Sequence, residues 1–195
     1  MKGKSAQIIF GVLLMGVVIA IPSTPCLPSL LDTGPKVTQG DALSPFVATD
    51  LQGREVNLAS YLGHKVVLLD FWSIYCAPCV AEMPTLIDLH NKYNKMGLEV
   101  FGVSLDSHFN ARRLAKFVEG FEYRIPYPII HDAGSQIRQM YGVGTLPTTI
   151  IVDASGKVQL IHIGFSKEDK RLIADFVIRL MEEQTRKTSQ VRPSK

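Results

Sequence analysis

Cys76 and Cys79 are the residues of this chain whose type and spacing best suit them for chemistry. They lie in Phe71-Trp72-Ser73-Ile74-Tyr75-Cys76-Ala77-Pro78-Cys79, after an apolar run and before a stretch with helical spacing. The pair therefore falls where a helix begins. Unpaired amide N–H groups and the macrodipole favour negative charge there. Cys76 is expected to ionise more readily than an ordinary thiol, and the thiolate is the attacking form. Cys79 lies three residues on, shares the helix face, and can reach the Cys76 sulfur. The chemistry this allows is exchange: Cys76 attacks a disulfide, and Cys79 resolves the mixed disulfide. Pro78 suits a first turn, where its missing N–H costs nothing. Two other uses of the pair remain open on spacing alone. A zinc site needs about four ligands, and His64 and His90 are the nearest histidines. A purely structural disulfide closing so short a loop would add little stability.

The elements that must hold this pair can be read from periodicity. Leu51-Gln52-Gly53-Arg54 reads as a turn between two short strands. Residues 65–71 form a nearly unbroken apolar run, as in a strand buried on both faces. Val80, Met83, Leu86, Ile87, Leu89 and Tyr93 recur at helical spacing. Residues 98–105 give the next strand. A helix is expected over 109–118, with Leu114, Phe117 and Val118 inward. A short strand follows at 127–130 and a short helix at 136–141. Strands 148–152 and 157–163 flank the hairpin turn Asp153-Ala154-Ser155-Gly156. A last helix spans 167–183, with Leu172, Ile173, Phe176, Val177, Leu180 and Met181 as its apolar stripe. Ser166 and Asp169 form a capping-box pattern at its start, with Asp in place of Glu. Strands alternating with helices and closed by a hairpin imply a mixed sheet with helices on both faces.

At this point the chain resembles a known family. Phe71-Trp72 leading into Cys76-Ala77-Pro78-Cys79 and then Ala81-Glu82-Met83-Pro84 is similar to the active-site stretch of thioredoxins. The Glu82–Pro84 portion is closest to the TlpA/ResA-like members. A second, independent match is Tyr141-Gly142-Val143-Gly144-Thr145-Leu146-Pro147-Thr148. The resemblance covers about residues 41–183. It implies an α/β thioredoxin fold with a central mixed sheet, an N-terminal extension and a helical insertion at about 106–128. It implies a cis-proline at Pro147, and a Leu146 backbone that pairs with extended client chain. Trp72 and Tyr75 are implied to face the client. Asp70 matches a buried acid that moves a proton to and from the second cysteine. Glu82 matches an acid near the cysteines. Burial would raise the pKa of either. Three positions depart from the pattern: Tyr75 stands where Trp is usual, Val80 where a basic residue is common, and Ile74 is apolar. A peroxidase of the peroxiredoxin type is a neighbour in fold; Ser73 fits its pattern, but Leu69 does not.

Length, charge and cysteine count frame these motifs. The chain has 195 residues, of which 46% are hydrophobic, with a formal net charge of +3. This suits one domain with appendages. Much of the basic excess lies at Arg186, Lys187, Arg192 and Lys195, which reads as a flexible tail over 184–195. No basic cluster points to nucleic acid as a partner. Three cysteines are too few for a disulfide scaffold. Lys2 and Lys4 precede an uncharged apolar run over 6–21, the layout of a signal peptide or membrane anchor. Residues 22–40, rich in Pro and Gly, read as a linker. Cys26 lies in it, and Ser23 and Pro25 before it disfavour a lipoprotein site. The expectation is an extracytoplasmic enzyme, in the periplasm or on the outer face of the cytoplasmic membrane. It would act on protein thiols and disulfides and be re-reduced by a membrane thiol donor. It would need no cofactor or metal. From the resemblance, its direction is reduction, in cytochrome c maturation or related metalloprotein assembly. The alternative is a thioredoxin-fold protein that holds Cu(I) through both thiolates without turnover.

Overall fold

A computed structural model describes residues 36–191, with side chains as far as Arg186. The apolar run 6–21, Cys26, most of the proline-rich stretch and residues 192–195 lie outside the described residues. Strands β1 (Val47–Thr49) and β2 (Glu55–Asn57) form an antiparallel hairpin. Its turn closes through the Asp50 carboxylate, which accepts the Gln52 and Arg54 amides at 3.0 and 2.9 Å. The main sheet holds β3 (Val66–Trp72), β4 (Leu98–Ser104), β5 (Ile129–His131), β6 (Thr148–Val152) and β7 (Val158–Ile163). Their order is β5-β4-β3-β6-β7. The pairs β3–β4 and β4–β5 are parallel, while β3–β6 and β6–β7 are antiparallel.

The alternation of side chains along β3 divides the core. Val66, Leu68 and Trp72 join one apolar cluster, whereas Val67, Leu69 and Phe71 join another. The first cluster is covered by α1 (Ala77–Tyr93), α2 (Ala111–Glu119) and α4 (Asp169–Val191). The second is covered by α3 (Gln136–Tyr141), the β1–β2 hairpin and a single 3₁₀ turn at Leu58–Ser60. Every residue of β3 and β4 is buried. This is why β3 reads as a nearly continuous apolar run rather than as an alternating one.

Two boundaries and one side-chain orientation differ from the sequence expectation. Residues 36–40 belong to the folded domain rather than to a linker. The Lys36 amide donates to Tyr141 O at 2.9 Å, Gly40 to Val158 O at 2.8 Å, and Val37 is buried. At the other end, α4 runs past Glu183 to Val191, so residues 184–191 of the expected flexible tail are helical. No Gly or Pro interrupts the chain from Asp169 until Pro193, and a helix stops at or before the residue preceding a proline. The Ser166–Asp169 cap forms as expected, with the Asp169 carboxylate accepting both the amide and the hydroxyl of Ser166 at 2.7 Å. Third, Leu172 is 45% exposed. The inward face of α4 is Ile173, Val177 and Met181, and Leu172 stands about 100° around the helix from Ile173. Pro84 lies inside α1 and removes one bond from its ladder.

Candidate active site

The chain leaves β3 at Trp72 and turns sharply before α1. Asp106, buried at the end of β4, organises this turn. Its carboxylate accepts Ser73 Oγ at 2.7 Å, the Ile74 amide at 3.1 Å and Ser104 Oγ at 2.8 Å. Cys76 N donates to Ser73 O at 3.0 Å. Cys76 is thereby delivered as the N-cap of α1, with extended backbone, and its Sγ accepts the Cys79 amide at 3.3 Å. An amide aimed at this sulfur in the oxidised protein also faces the thiolate once the bond is reduced. Pro78 occupies the first turn. Cys76 and Cys79 are joined in a disulfide, with Cα atoms 5.2 Å apart. Cys79 is fully buried, whereas Cys76 is half-buried. A partner therefore meets Cys76 first.

Beneath the cysteines a few buried polar side chains interrupt the apolar cluster between the sheet and α1. Asp70 stands on β3 between Gly102 of β4 and Thr149 of β6, its register partners. Glu82 lies one helical turn beyond Cys79 and is fully buried. Its Oε1 accepts Thr149 Oγ1 at 2.8 Å. Neither oxygen of Asp70, nor Glu82 Oε2, nor the Tyr127 hydroxyl hydrogen-bonds to another protein group among the described residues. Burial pushes the Glu82 carboxyl up to about 7. The Thr149 hydrogen bond opposes that shift, and the charge of Asp169 adds to it. Burial raises Asp70 well above the ordinary carboxylate range, and the Glu82 charge raises it further. Two acids in one dry space disfavour each other's ionisation. The Tyr127 hydroxyl is raised too, by burial and then by the charges of Asp70 and Glu82.

The rim around the sulfurs has two sides. On one, Tyr75 is 62% exposed beside Cys76. Its hydroxyl donates to Asn110 Oδ1 at 3.0 Å and accepts Arg113 Nη1 at 2.9 Å. Ile74 is half-buried against the core. On the other side the Leu146–Pro147 peptide is cis. Thr148 is the register partner of Phe71, so Pro147 is level with the end of β3, where the cysteine turn starts. Leu146 is half-buried and Pro147 buried. Trp72, expected to face the client, is instead fully buried, its ring 5.8 Å from that of Phe117. The alternation of β3 turns it toward the helices, and Gly102 opposite Asp70 leaves room for it. A Cβ at position 102 would lie 3.1 Å from Trp72 Nε1 and 2.6 Å from Ile129 Cδ1.

The model of the AhpC/TSA family matches residues 39–161. The thiol-disulfide oxidoreductase ResA of Geobacillus thermodenitrificans is 40% identical over 134 residues, which cover 68% of this chain and 74% of that protein. This chain belongs to the AhpC/TSA family, among its ResA-like thiol–disulfide oxidoreductases. The ResA of Bacillus anthracis is 37% identical over 123 residues, or 63% of this chain and 68% of that one. Among solved structures, a Chlorobium tepidum protein assigned as the thiol:disulfide interchange protein DsbE superposes with a TM-score of 0.68 at 30% identity. It covers 74% of this chain, and 99% of its own length is matched. The fold is thus the thioredoxin-like fold, and the enzyme class is thiol–disulfide oxidoreductase.

Within this ResA-like frame, the expected residues separate into two groups. Cys76 and Cys79 are bonded at the start of α1, with Glu82 one turn on and linked through Thr149 to the strand position of Asp70, while Tyr75 lies exposed beside Cys76 and Leu146–Pro147 at the end of the sheet. The sequence reading missed Thr149, Asp106 and Tyr127. Thr149 could have been flagged only through its pairing with Asp70, and Asp106 only through its position just beyond a buried strand. Tyr127 carried no local signal.

Proposed function

We propose that this chain passes two electrons between its Cys76–Cys79 pair and disulfides of client proteins outside the cytoplasm, with reduction as its working direction. The observation that carries this reading is the asymmetry of the pair: a half-buried Cys76 capping α1, and a buried Cys79 one turn above Glu82. Starting from the reduced dithiol, the Cys76 thiolate attacks one sulfur of the client disulfide. A mixed disulfide forms and the first client thiolate leaves. The Cys79 thiol then passes its proton to the buried acids and attacks Cys76 Sγ. The 76–79 disulfide closes, and the second client thiolate leaves and is protonated. One protein dithiol and one client disulfide become one protein disulfide and one client dithiol. Glu82, held up to about 7, can take or give that proton near neutral pH. Asp70, also raised by burial and by the Glu82 charge, stands beside it. The Leu146–Pro147 backbone and Tyr75 receive the client segment around its cysteine.

An external membrane thiol donor would return the disulfide to the dithiol. The basic-then-apolar run over 1–21 supports export, with residues 6–21 cleaved or kept as an anchor. No helix among the described residues is long and apolar enough to cross a membrane. The exposed lipoprotein thioredoxin Etrx1 of Streptococcus pneumoniae is similar in structure, with a TM-score of 0.59 at 25% identity. Resemblance to the ResA-like group supports cytochrome c maturation or a related metalloprotein assembly as the setting.

Cys79→Ser tests the mechanism. It is expected to abolish multiple turnover and to accumulate client mixed disulfides through Cys76, seen on non-reducing gels. Absence of trapped adducts, with turnover retained, would overturn the assignment. A redox titration against glutathione tests the direction. A couple more reducing than glutathione supports the reductant, and a more oxidising one replaces it with an oxidase or isomerase.

A further inference from the structure

Phe109 is 97% exposed, whereas Phe117 and Phe121 of the same segment pack against each other with ring centroids 5.5 Å apart. A single exposed apolar side chain is ordinary. Phe109 differs in where it is held. The segment 106–113 is fastened to the active-site turn at both ends. Asp106 binds Ser73 and the Ile74 amide, while Asn110 and Arg113 grip the Tyr75 hydroxyl from the far side. The 3₁₀ turn His108–Asn110 thus displays Phe109 next to the residue that holds Tyr75. Tyr75 in turn precedes Cys76. Two exposed aromatic residues, Tyr75 and Phe109, are therefore linked through Asn110 to the turn that carries Cys76. The exposed charge of this segment is mostly basic. Arg112, Arg113 and Lys116 are exposed, and Glu119 is the one acidic residue between 107 and 119.

We propose that Tyr75, Phe109 and Arg112 form a docking surface for clients. The matching segment would carry an apolar side chain and carboxylates beside its reacting cysteine. The inference deepens the exchange reading above and rests on it. Contact with the rings removes apolar area from water, and opposite charge speeds encounter and selects among clients. The segment is fastened to the turn that carries the reacting disulfide, so the occupant is the substrate chain itself.

The test uses the full-length chain in its reduced form and three disulfides. Two are cysteine peptides dimerised through a disulfide and flanked by Leu, one with Glu residues and one with Lys at the same positions. The third is neutral hydroxyethyl disulfide. The acidic peptide is expected to be reduced about tenfold faster than the basic one at low ionic strength, with the preference shrinking as salt is added. Phe109→Ser and Arg112→Glu are each expected to slow the acidic peptide by roughly threefold or more and leave hydroxyethyl disulfide within about twofold. Equal peptide rates at low salt, or a preference that both variants retain, would overturn the docking surface and leave the exchange reaction standing. Failure with hydroxyethyl disulfide as well would overturn both. If the wild type sediments as a dimer that Phe109→Ser dissociates, the occupant is a second copy, and the client proposal falls.

Discussion

Strand β3 turns two different environments outward from one apolar run. On one face Val67, Leu69 and Phe71 meet Phe101, Val103, Ile150 and Val152 in an unbroken apolar layer. The buried tyrosine of that layer, Tyr141, is satisfied by donating to Ser44 O at 2.6 Å. On the other face the same strand places Asp70 and Trp72 beneath α1, where Glu82 and Tyr127 also point inward. There the Asp70 oxygens, Glu82 Oε2, Trp72 Nε1 and the Tyr127 hydroxyl have no protein partner among the described residues. Each such group costs about 1–3 kcal/mol when buried. A strand that needed only to be stable would repeat its apolar pattern on both faces. In the proposed exchange reaction the acids beneath the cysteines would hold protons near a buried sulfur at a cost in stability that the opposite, apolar face offsets.

Mutations on the two faces should therefore separate stability from chemistry. Leu69→Ala, on the apolar face, is expected to cost about 2–5 kcal/mol by denaturant unfolding, with the pH profile of exchange unchanged. A changed profile would show that the faces are not independent. Glu82→Gln, on the polar face, is expected to lower the rate of client reduction at pH 7 by about 10²-fold and to flatten the pH dependence near neutrality. Rate loss without flattening would reduce Glu82 to a packing group.

The pH dependence of stability sharpens the contrast further. Glu82 and Asp70 both have folded-state values raised above their unfolded ones. Their contribution is complete below the unfolded value, 4.5 for Glu82. For Glu82 it is lost as the pH rises through the folded value, about 7. The melting temperature of the oxidised protein should fall across that window, and Glu82→Gln should recover roughly 5 °C of it at pH 8. Asp50 and Asp153, which burial raises but hydrogen bonds to backbone amides and side chains together lower by more, act with the opposite sign and below 3.8, outside this window. The smallest effect belongs to Leu172→Ser. Because Leu172 points away from the core, it should change stability by no more than about 0.5 kcal/mol, where Ile173→Ala beside it costs several times that.

The sequence alone determined those features whose cause lies within a few residues. Apolar runs and helical spacing located the strands and helices, the turn Asp153–Gly156 joined two of them, and the cysteine pair marked the start of α1. The order of the motifs placed Pro147 and the acids in the correct fold. Tertiary structure decided what depends on strand register and on which face of an element is covered. It set Asp70 opposite both Gly102 and Thr149, and so gave Glu82 a hydroxyl partner 67 residues away in the chain. It turned Trp72 inward, away from clients, and Leu172 outward. It brought Asp106 back to hold the turn before Cys76. A repeat of two or of 3.6 residues tells which side chains share a face. Which face meets a neighbour, and at what height, is settled only when the strands pair and the helices pack.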